Sequence, residues 1–300
     1  MIGLDRLRKF SADGLVGINA RNCNYVYPLN ERRLLPIVDS KILTKTAAAS
    51  VDVPTPEMLG VIETTSDARR IEEIIGDRED FVVKPARGAQ GNGILVINGR
   101  TPEGGWRKAS GKPMSTAKLL YFIRNVVSGM YSKNAIADRA LIEERVIFAD
   151  VFDHVSASGV PDIRIIVYKG VPFMAMVRLP TTQSDGKANL HKGGVGIGVD
   201  IETGVTTTAV HKNRTVTRHP DTFEELAGIQ IPGWDDMLQM AARCYDAVPL
   251  GYLGVDIVID ARKGPLLLEL NARPGLSVQM ANQQGIINAL NKIDPSLFDA

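Results

Sequence analysis

The sequence predicts an α+β fold with mostly antiparallel sheets arranged in two lobes. Three observations carry that expectation. The stretches "DIRIIVYKGVPFMAMVRL" and "GVDIVIDARKGPLLLELNARPG" each read as two apolar strands around a short polar turn, the pattern of a hairpin. A third stretch, "FVVKPARGAQGNGILVI", has apolar strands on both sides of a glycine loop. Segments of helical period separate these strands, and no repeat of fixed length is visible.

Bulk properties narrow the function classes. Three hundred residues, 44% hydrophobic and 23% charged, are enough for a sizeable core. A formal net charge of +1 gives no electrostatic case for nucleic acid or a membrane surface. Two isolated cysteines suggest neither a disulfide framework nor a zinc site. No apolar run approaches a membrane span, and "MIGLDRLRKFSADG" lacks an apolar signal core. The expectation is a soluble, cytoplasmic protein, with a homo-oligomer left open.

The elements follow in chain order. Residues 1–40 read as an irregular polar arm, "NARNCNYVYPLNERR" being rich in Asn, Arg and Tyr. Lys41 to Ser50 reads as a helix capped by Asp39 or Ser40 and stopped before Pro54. "EMLGVI" is a short strand, and a helix runs from Ser66 to about Ile75. "GRTPEGGWRKASGKP" is turn-rich and hairpin-like, and Leu119, Leu120, Ile123, Val126, Val127 and Met130 give the period of a helix over 116–131. "ALIEERVI" opens the second, strand-rich part. A Gly/Val strand, a helix over 234–247 and a helix after Ser277 complete it. The expected division is 1–40 arm, 41–145 small lobe and 146–300 large lobe.

The glycine loop has the wrong grammar for a P-loop, and Gly88, Gly91 and Gly93 run in the wrong order for a dinucleotide fingerprint. Lys84 ends the strand before it and reads as a phosphate contact beside backbone N–H groups. Lys41, opening its helix, could add a second positive charge; Arg87 is ambiguous between phosphate and solvent.

The last hairpin gives the most specific signal. With its turn centred on Arg262-Lys263, Asp260 pairs with Pro265 and Asp256 falls opposite Glu269, with Asn271 on the same face. Opposed carboxylates destabilise a sheet. One remedy is a lysine or arginine for each; the other is a divalent cation. Apolar flanks favour the cation, and hard oxygen donors suit Mg²⁺. In "LIEERVI", Glu143 and Arg145 share one face and Glu144 and Val146 the other. An adenine could bond that strand's backbone, but a salt-bridged edge strand fits equally well. "GKANLHKGG" is glycine-bounded like a lid. Its His191 has no Ser or Cys partner, so a positioning or structural role fits it. Asp162 and Arg164 share a strand face.

In order, "DSKILTK", "FVVKPARGAQGNGI", "LIEERV", "DIRIIV", "NLHKGG", "GVDIVID" and "LLLELNARPGL" resemble the ATP-grasp superfamily, and within it the carboxylate–amine ligases typified by the ribosomal-protein glutamate ligase. The resemblance spans Asp39 to the C-terminus. It implies two α+β lobes gripping ATP, with Lys41 and Lys84 on the phosphates and Gly88, Gly91 and Gly93 in a flap over them. It further implies Glu143, Glu144, Arg145 and Val146 as the adenine hinge and Asp162 at the ribose. Asn189, Lys187 and Lys192 would reach the triphosphate, Arg164 and Arg178 would serve the transferred phosphate, and Asp256, Glu269 and Asn271 would hold Mg²⁺, with Mn²⁺ the substitute. A simple register about Lys169-Gly170 puts Arg178 on the face opposite Asp162 and Arg164, so sharing the site requires a bulge. Family members usually carry a leading domain that helps build the acceptor site, and only 40 residues precede Lys41. The acceptor site is therefore minimal, built from the arm, or supplied by a partner protein.

The implied activity is ATP-dependent joining of a carboxylate, such as glutamate, to an amine or peptide through an acylphosphate. A phosphotransferase of the same fold and a nucleotide-binding regulatory subunit are the alternatives.

Overall fold

Two sheets organise the chain, one of six strands and one of seven. The computed structural model describes residues 13–88, 91–132, 135–156 and 159–293. The predicted arm over 1–12 and the loop positions 89–90 lie outside them. The chain divides into two compact units, one of Asp39–Thr46 with Thr55–Ile147, the other of Met1–Val38, Ala47–Pro54 and Phe148–Ala300. The α+β class and the antiparallel pairing expected from the sequence are what the structure has. No helix among the described residues is long and apolar enough to cross a membrane.

The six-stranded unit orders its strands β1-β6-β2-β3-β4-β5, with β1 Met58–Ile62, β2 Asp80–Pro85, β3 Leu95–Arg100, β4 Trp106–Lys108, β5 Pro113–Met114 and β6 Ala140–Glu143. Helix α1 (Lys41–Ala49) begins here, and Ser40 supplies its cap, with its Oγ accepting from Leu43 N at 3.4 Å. Helices α2 (Ile71–Ile75) and α3 (Thr116–Val127) bury Ile71, Ile75, Leu119 and Ile123 with Phe81, Ile97 and Trp106 in one core. Burying a side chain of that size stabilises by about 1.5–3 kcal/mol. The α3 helix stops four residues short of the periodicity because the chain turns out at Gly129 (φ +88°). Strand β6 also ends early. Glu144 leaves the ladder, its N–H donating to Glu57 O and its Oε1 accepting from Glu57 N, both at 2.9 Å.

The seven-stranded unit runs β11-β10-β9-β8-β7-β12-β13. Its strands are β7 Asp162–Tyr168, β8 Val171–Leu179, β9 Val195–Val199, β10 Thr206–His211, β11 Arg214–Val216, β12 Tyr252–Asp260 and β13 Gly264–Asn271. Helix α4 (Trp234–Ala247) covers one face, burying Met237, Ala241 and Cys244 against Ile163, Ile165, Val177 and Val255. Burial there pushes the Cys244 thiol up to about 12. On the other face lie α5 (Ser277–Ala281), α6 (Ile286–Leu290) and the N-terminal segment, packed on Ile166, Met174, Met176 and Val210.

Two expectations are corrected in this unit. The arm is not irregular where it is described: Ile18–Arg21, Asn22–Val26, Tyr27–Leu29, Arg32–Leu34 and Leu35–Val38 are successive helical turns. Tertiary bonds impose this order on a polar sequence. Asn30 Nδ2 donates to Tyr252 O (2.8 Å) and Ala272 O (2.9 Å), Tyr252 N donates to Asn30 Oδ1 (3.0 Å), and Tyr25 packs on the Tyr168 and Tyr252 rings. The β10–β11 hairpin, absent from the sequence reading, turns on Lys212 and Asn213 (φ +48° and +61°), a primed turn made without glycine.

Candidate active site

In the six-stranded unit, Lys84 stands at the end of β2, directly across β6 from Leu141, so its side chain meets Glu143 one position along that face. Lys45, one helical turn after Lys41, reaches the same carboxylate: its Nζ lies 3.2 Å from Glu143 Oε2 and donates to Pro56 O at 2.6 Å. Glu143 is 1% exposed and Lys45 8%. Burial alone would raise the Glu143 carboxyl, but the Lys84 and Lys45 ammoniums outweigh it and hold it below the usual range. Lys45 is lowered from its ordinary value by burial, partly offset by Glu143. Two cations share one buried anion, and the buried Glu144 adds a second carboxylate acting on Lys45. Sequence reading missed Lys45, although the spacing of "KILTK" puts it on the helix face of Lys41.

Lys41 sits at the root of the glycine loop, where its N–H donates to Ala86 O (2.9 Å) and its Nζ to Gly88 O (3.0 Å). Asp138 secures the same root through Arg87 N (2.9 Å) and Arg139 N (2.8 Å). Gly93 has φ +73°, and a Cβ there would lie 2.5 Å from the Tyr131 ring, so only glycine fits without a shift. In the predicted hinge, Glu143 and Glu144 are both committed to partners within the unit, and Arg145 Nε donates to Asp80 Oδ2 at 3.1 Å. Among the described residues, the backbone groups of Arg145 and Val146 make no hydrogen bond.

The seven-stranded unit builds the second constellation on one face. Asp256 stands opposite Glu269 on β13 and opposite Arg164 on β7, and Asp162 stands opposite Arg178 on β8. Both pairings depend on bulges. Between Asp256 and Ile257 the register shifts, so the tip pairs Asp260 with Gly264 and not with Pro265, and Leu268 is the extra residue. In β7–β8 a shift after Ile166 leaves Phe173 extra and brings Arg178 onto the face of Asp162 and Arg164, where the simple register would have excluded it.

Arg164 grips Asp256 in a two-pronged pair, Nε to Oδ1 at 2.7 Å and Nη2 to Oδ2 at 2.6 Å. Arg178 bonds both oxygens of Asp162 and extends Nη2 to Asp256 Oδ2 at 2.8 Å. Burial alone would raise the Asp256 carboxyl, but Arg164 and Arg178 outweigh it and hold it well below the usual carboxylate range. Asp162 is pushed up to about 6, chiefly by burial, with Arg178 opposing and Asp256 adding to the rise. The like-charge opposition of Asp256 and Glu269 is thus answered by arginines. That was the remedy the sequence reading set second.

As a donor set the face fits Mg²⁺ in kind. Glu269 and Asn271 are half-buried hard-oxygen donors, and the Asp256 carboxylate beside them is bonded by Arg164 and Arg178 and meets the Glu269 side chain. Asn271 Oδ1 meanwhile accepts from Arg273 N at 2.9 Å. No group of three or more His, Cys, Asp or Glu is arranged to hold a metal among the described residues.

The "NLHKGG" segment is a built turn. Asn189 Oδ1 accepts from His191 N (2.9 Å), and Thr181 Oγ1 donates to Gly193 O (2.8 Å). Its Leu190 covers Gly196, the β9 residue opposite Arg178, where a Cβ would come within 2.6 Å of Leu190 Cδ2. Lys187 is partly exposed, its Nζ 3.9 Å from Asp185.

This architecture belongs to a known class. A family model described as sugar-transfer associated ATP-grasp matches residues 20–295, and the chain belongs to that family. No curated protein matches. Solved structures that resemble it include ATP-grasp ligase PsnB complexed with minimal precursor (16% identity, 88% of this chain and 62% of that one, TM-score 0.46). The D-alanine–D-alanine ligase from Bacillus anthracis complexed with ATP is similar at 15% identity (87% and 64%, TM-score 0.47). D-cycloserine synthetase DcsG follows at 13% (83% and 66%, TM-score 0.45). The chain spans about three fifths of the length of the first of these. Likenesses this distant carry no argument about residues or substrates.

Proposed function

We propose that the protein is an ATP-dependent carboxylate–amine ligase. The observation that carries the reading is the buried arginine–carboxylate face of Asp162, Arg164, Arg178, Asp256 and Glu269. It gathers two guanidiniums and several hard oxygens where a phosphoryl group and its cation could be neutralised together. In this reading each compact unit is one lobe. The six-stranded unit supplies Lys41, Lys84 and the glycine flap for the phosphates, and the unpaired backbone of Arg145 and Val146 for an adenine edge. The seven-stranded unit supplies Asp162 for the ribose, Lys187, Asn189 and Lys192 for the triphosphate, and Asp256, Glu269 and Asn271 for Mg²⁺. The cation, when bound, neutralises phosphate charge.

A substrate carboxylate oxygen attacks the γ-phosphorus, and the bond to the β–γ bridging oxygen breaks to release ADP. An amine then attacks the acyl carbon, the carbon–oxygen bond to phosphate breaks, and the amine's proton passes to solvent. The side chains hold, orient and neutralise; none becomes covalently attached. Arg178, bonded to Asp162 and Asp256, can turn one N–H toward developing phosphate charge without leaving Asp162.

The test is ADP release from Mg²⁺-ATP against a panel of carboxylates and amines headed by glutamate, with mass spectrometry of the products. An amide product supports the ligase. A phosphorylated product formed without any amine would replace it with a phosphotransferase, and ATP binding without turnover on any acceptor would replace it with a regulatory subunit.

A further inference from the structure

In three turns of the seven-stranded unit, a side chain accepts from the N–H groups two and three residues on. Asp200 Oδ1 accepts from Glu202 N (3.1 Å) and Thr203 N (2.9 Å), and Asp260 Oδ1 accepts from Arg262 N (2.8 Å) and Lys263 N (3.0 Å). At the third turn the acceptor is an imidazole: His219 Nδ1 takes Asp221 N at 3.3 Å and Thr222 N at 3.4 Å. A carboxylate stays an acceptor far below neutral pH, whereas an ordinary imidazole loses its one lone pair to a proton at about pH 6.5. This turn alone of the three is built on a group that titrates near neutrality.

His219 is fully buried, and its other ring nitrogen faces Pro180 O at 3.1 Å. A carbonyl only accepts and an amide N–H only donates, so the ring is the neutral tautomer with its proton on Nε2. The turn is the tip of a short antiparallel pairing of Arg218 with Glu225, closed by His219 N to Glu224 O and Phe223 N to His219 O, both 2.9 Å. Beside the ring, Asp221 Oδ2 accepts from Thr182 N at 2.7 Å. The tip therefore holds residues 180 and 182, where the loop from β8 to β9 begins. Thr181, between them, ties in the loop's other end through Gly193 O and shares three side-chain bonds with Ser184. This root is buried at Thr181, Ser184, Gly193 and Gly194, while Lys187, Asn189 and Lys192 farther along are half-buried. With both nitrogens occupied and no exposure, His219 cannot meet a substrate; what it does passes through the loop.

We propose that His219 is a positioning residue for the loop of Lys187, Asn189 and Lys192, and that a proton on its Nδ1 loosens the loop root and weakens nucleotide binding. The added N–H would point at two amide N–H groups, so the tip must shift away from Thr182 and the Pro180 carbonyl. The titratable groups that act on the ring are Asp221, on its own tip, which favours the proton, and His211 of β10, which opposes it. Burial opposes it more strongly and holds His219 below the ordinary histidine value. Between that lowered value and the ordinary one the folded chain binds fewer protons than the unfolded one. The root is thus held in full above the ordinary value and given up as pH falls through the lowered one. The effect on nucleotide rests on the ligase reading. The pH-linked root does not.

Two measurements test it. NMR on the full, unsubstituted chain without nucleotide follows imidazole ¹⁵N shifts and amide hydrogen exchange from pH 7.5 to 5. Protection at Thr182, Ser184 and Gly194 should fall, relative to intrinsic exchange, in step with protonation of His219. Protection that is unchanged once His219 is protonated overturns the pH-linked root, as does a His219 that stays neutral over the whole range. The second measurement is calorimetric titration with Mg²⁺-AMPPNP on the parent and on His219→Asn, whose melting curve checks folding. Asparagine keeps an acceptor for Asp221 N and Thr222 N but neither titrates nor reaches Pro180 O. At pH 7.5 the variant should bind about fivefold more weakly than the parent, and at pH 5 the gap should close. Asp162 and the nucleotide titrate in both proteins, so the ratio of affinities isolates His219. A ratio that is constant with pH leaves His219 merely structural and overturns the proposal. No binding by the parent at any pH, with protection still linked to His219, overturns the ligase reading and the nucleotide effect and leaves the pH-linked root standing.

Discussion

Arg178 Nη2 stands 2.8 Å from Asp256 Oδ2 while the same guanidinium holds both oxygens of Asp162, so one side chain on β8 bridges two carboxylates on the neighbouring strands β7 and β12. Arg164 shares the load at Asp256. The burial of all four groups makes the network stable only when whole.

Arg178→Ala should therefore do more than remove a cation. It strips Asp162 of its bonded partner and leaves Asp256 with Arg164 alone. A loss of about 3–5 kcal/mol in urea unfolding is expected. Arg178→Lys keeps the charge but not the fork and should recover only part of that stability. ADP release should fall at least 100-fold in both variants.

The Asp162 carboxyl, pushed up to about 6 by burial, gives stability a pH slope of defined sign. Between the ordinary aspartate value and about 6 the folded chain binds more protons than the unfolded one, so stability falls as pH rises through that window. The contribution is on the order of 3 kcal/mol. Asp162→Asn should flatten the slope between pH 4 and 6. An unchanged profile in denaturation midpoints would contradict the assignment.

Glu143 has the opposite sign. Its carboxyl, held low by Lys84 and Lys45 against the effect of burial, stabilises the fold above the ordinary glutamate value. That stability is lost as pH falls through the lowered value. Glu143→Gln leaves two buried ammoniums facing a neutral amide and should cost about 3–5 kcal/mol at neutral pH. The acid-side loss should disappear with it, as read by circular dichroism melts.

Gly93→Ala forces a Cβ to 2.5 Å from the Tyr131 ring at φ +73°. A stability loss of about 1–3 kcal/mol is expected. Affinity for ATP, measured by titration calorimetry, should drop with it if the loop is the phosphate flap. Gly91→Ala, with φ +70° but no neighbour within 4 Å, should cost less.

Much of this was legible in the sequence where the signal is periodic. Helix α4 falls on its predicted residues, and the two long hairpins were plain from apolar runs flanking short turns. The pairing of Asp256 with Glu269 was readable too, although by a register that is wrong at the tip and corrected by Leu268. What escaped depends on tertiary contacts. Nothing in "NARNCNYVYPLNERR" announces that Asn30 will close on Tyr252, and the Lys212-Asn213 turn carries no glycine. Arginines as the answer to Asp256 come from β7 and β8, roughly eighty to ninety positions earlier in the chain, a distance that periodicity does not bridge.

The two bulges also set how the chain can tolerate change. In each hairpin the extra residue, Phe173 or Leu268, lies between the tip and the charged pair. Each stores one residue of slack that a longer turn could take up. One glycine inserted after Gly170 could straighten the β8 ladder and lengthen the turn while leaving Arg178 opposite Asp162. A single deletion between Val171 and Arg178 would use up the same reserve by straightening the bulge, and a second would reverse the orientation of every residue beyond it. Length variation in descendants of this sequence should therefore gather between the hairpin tips and the charged pairs.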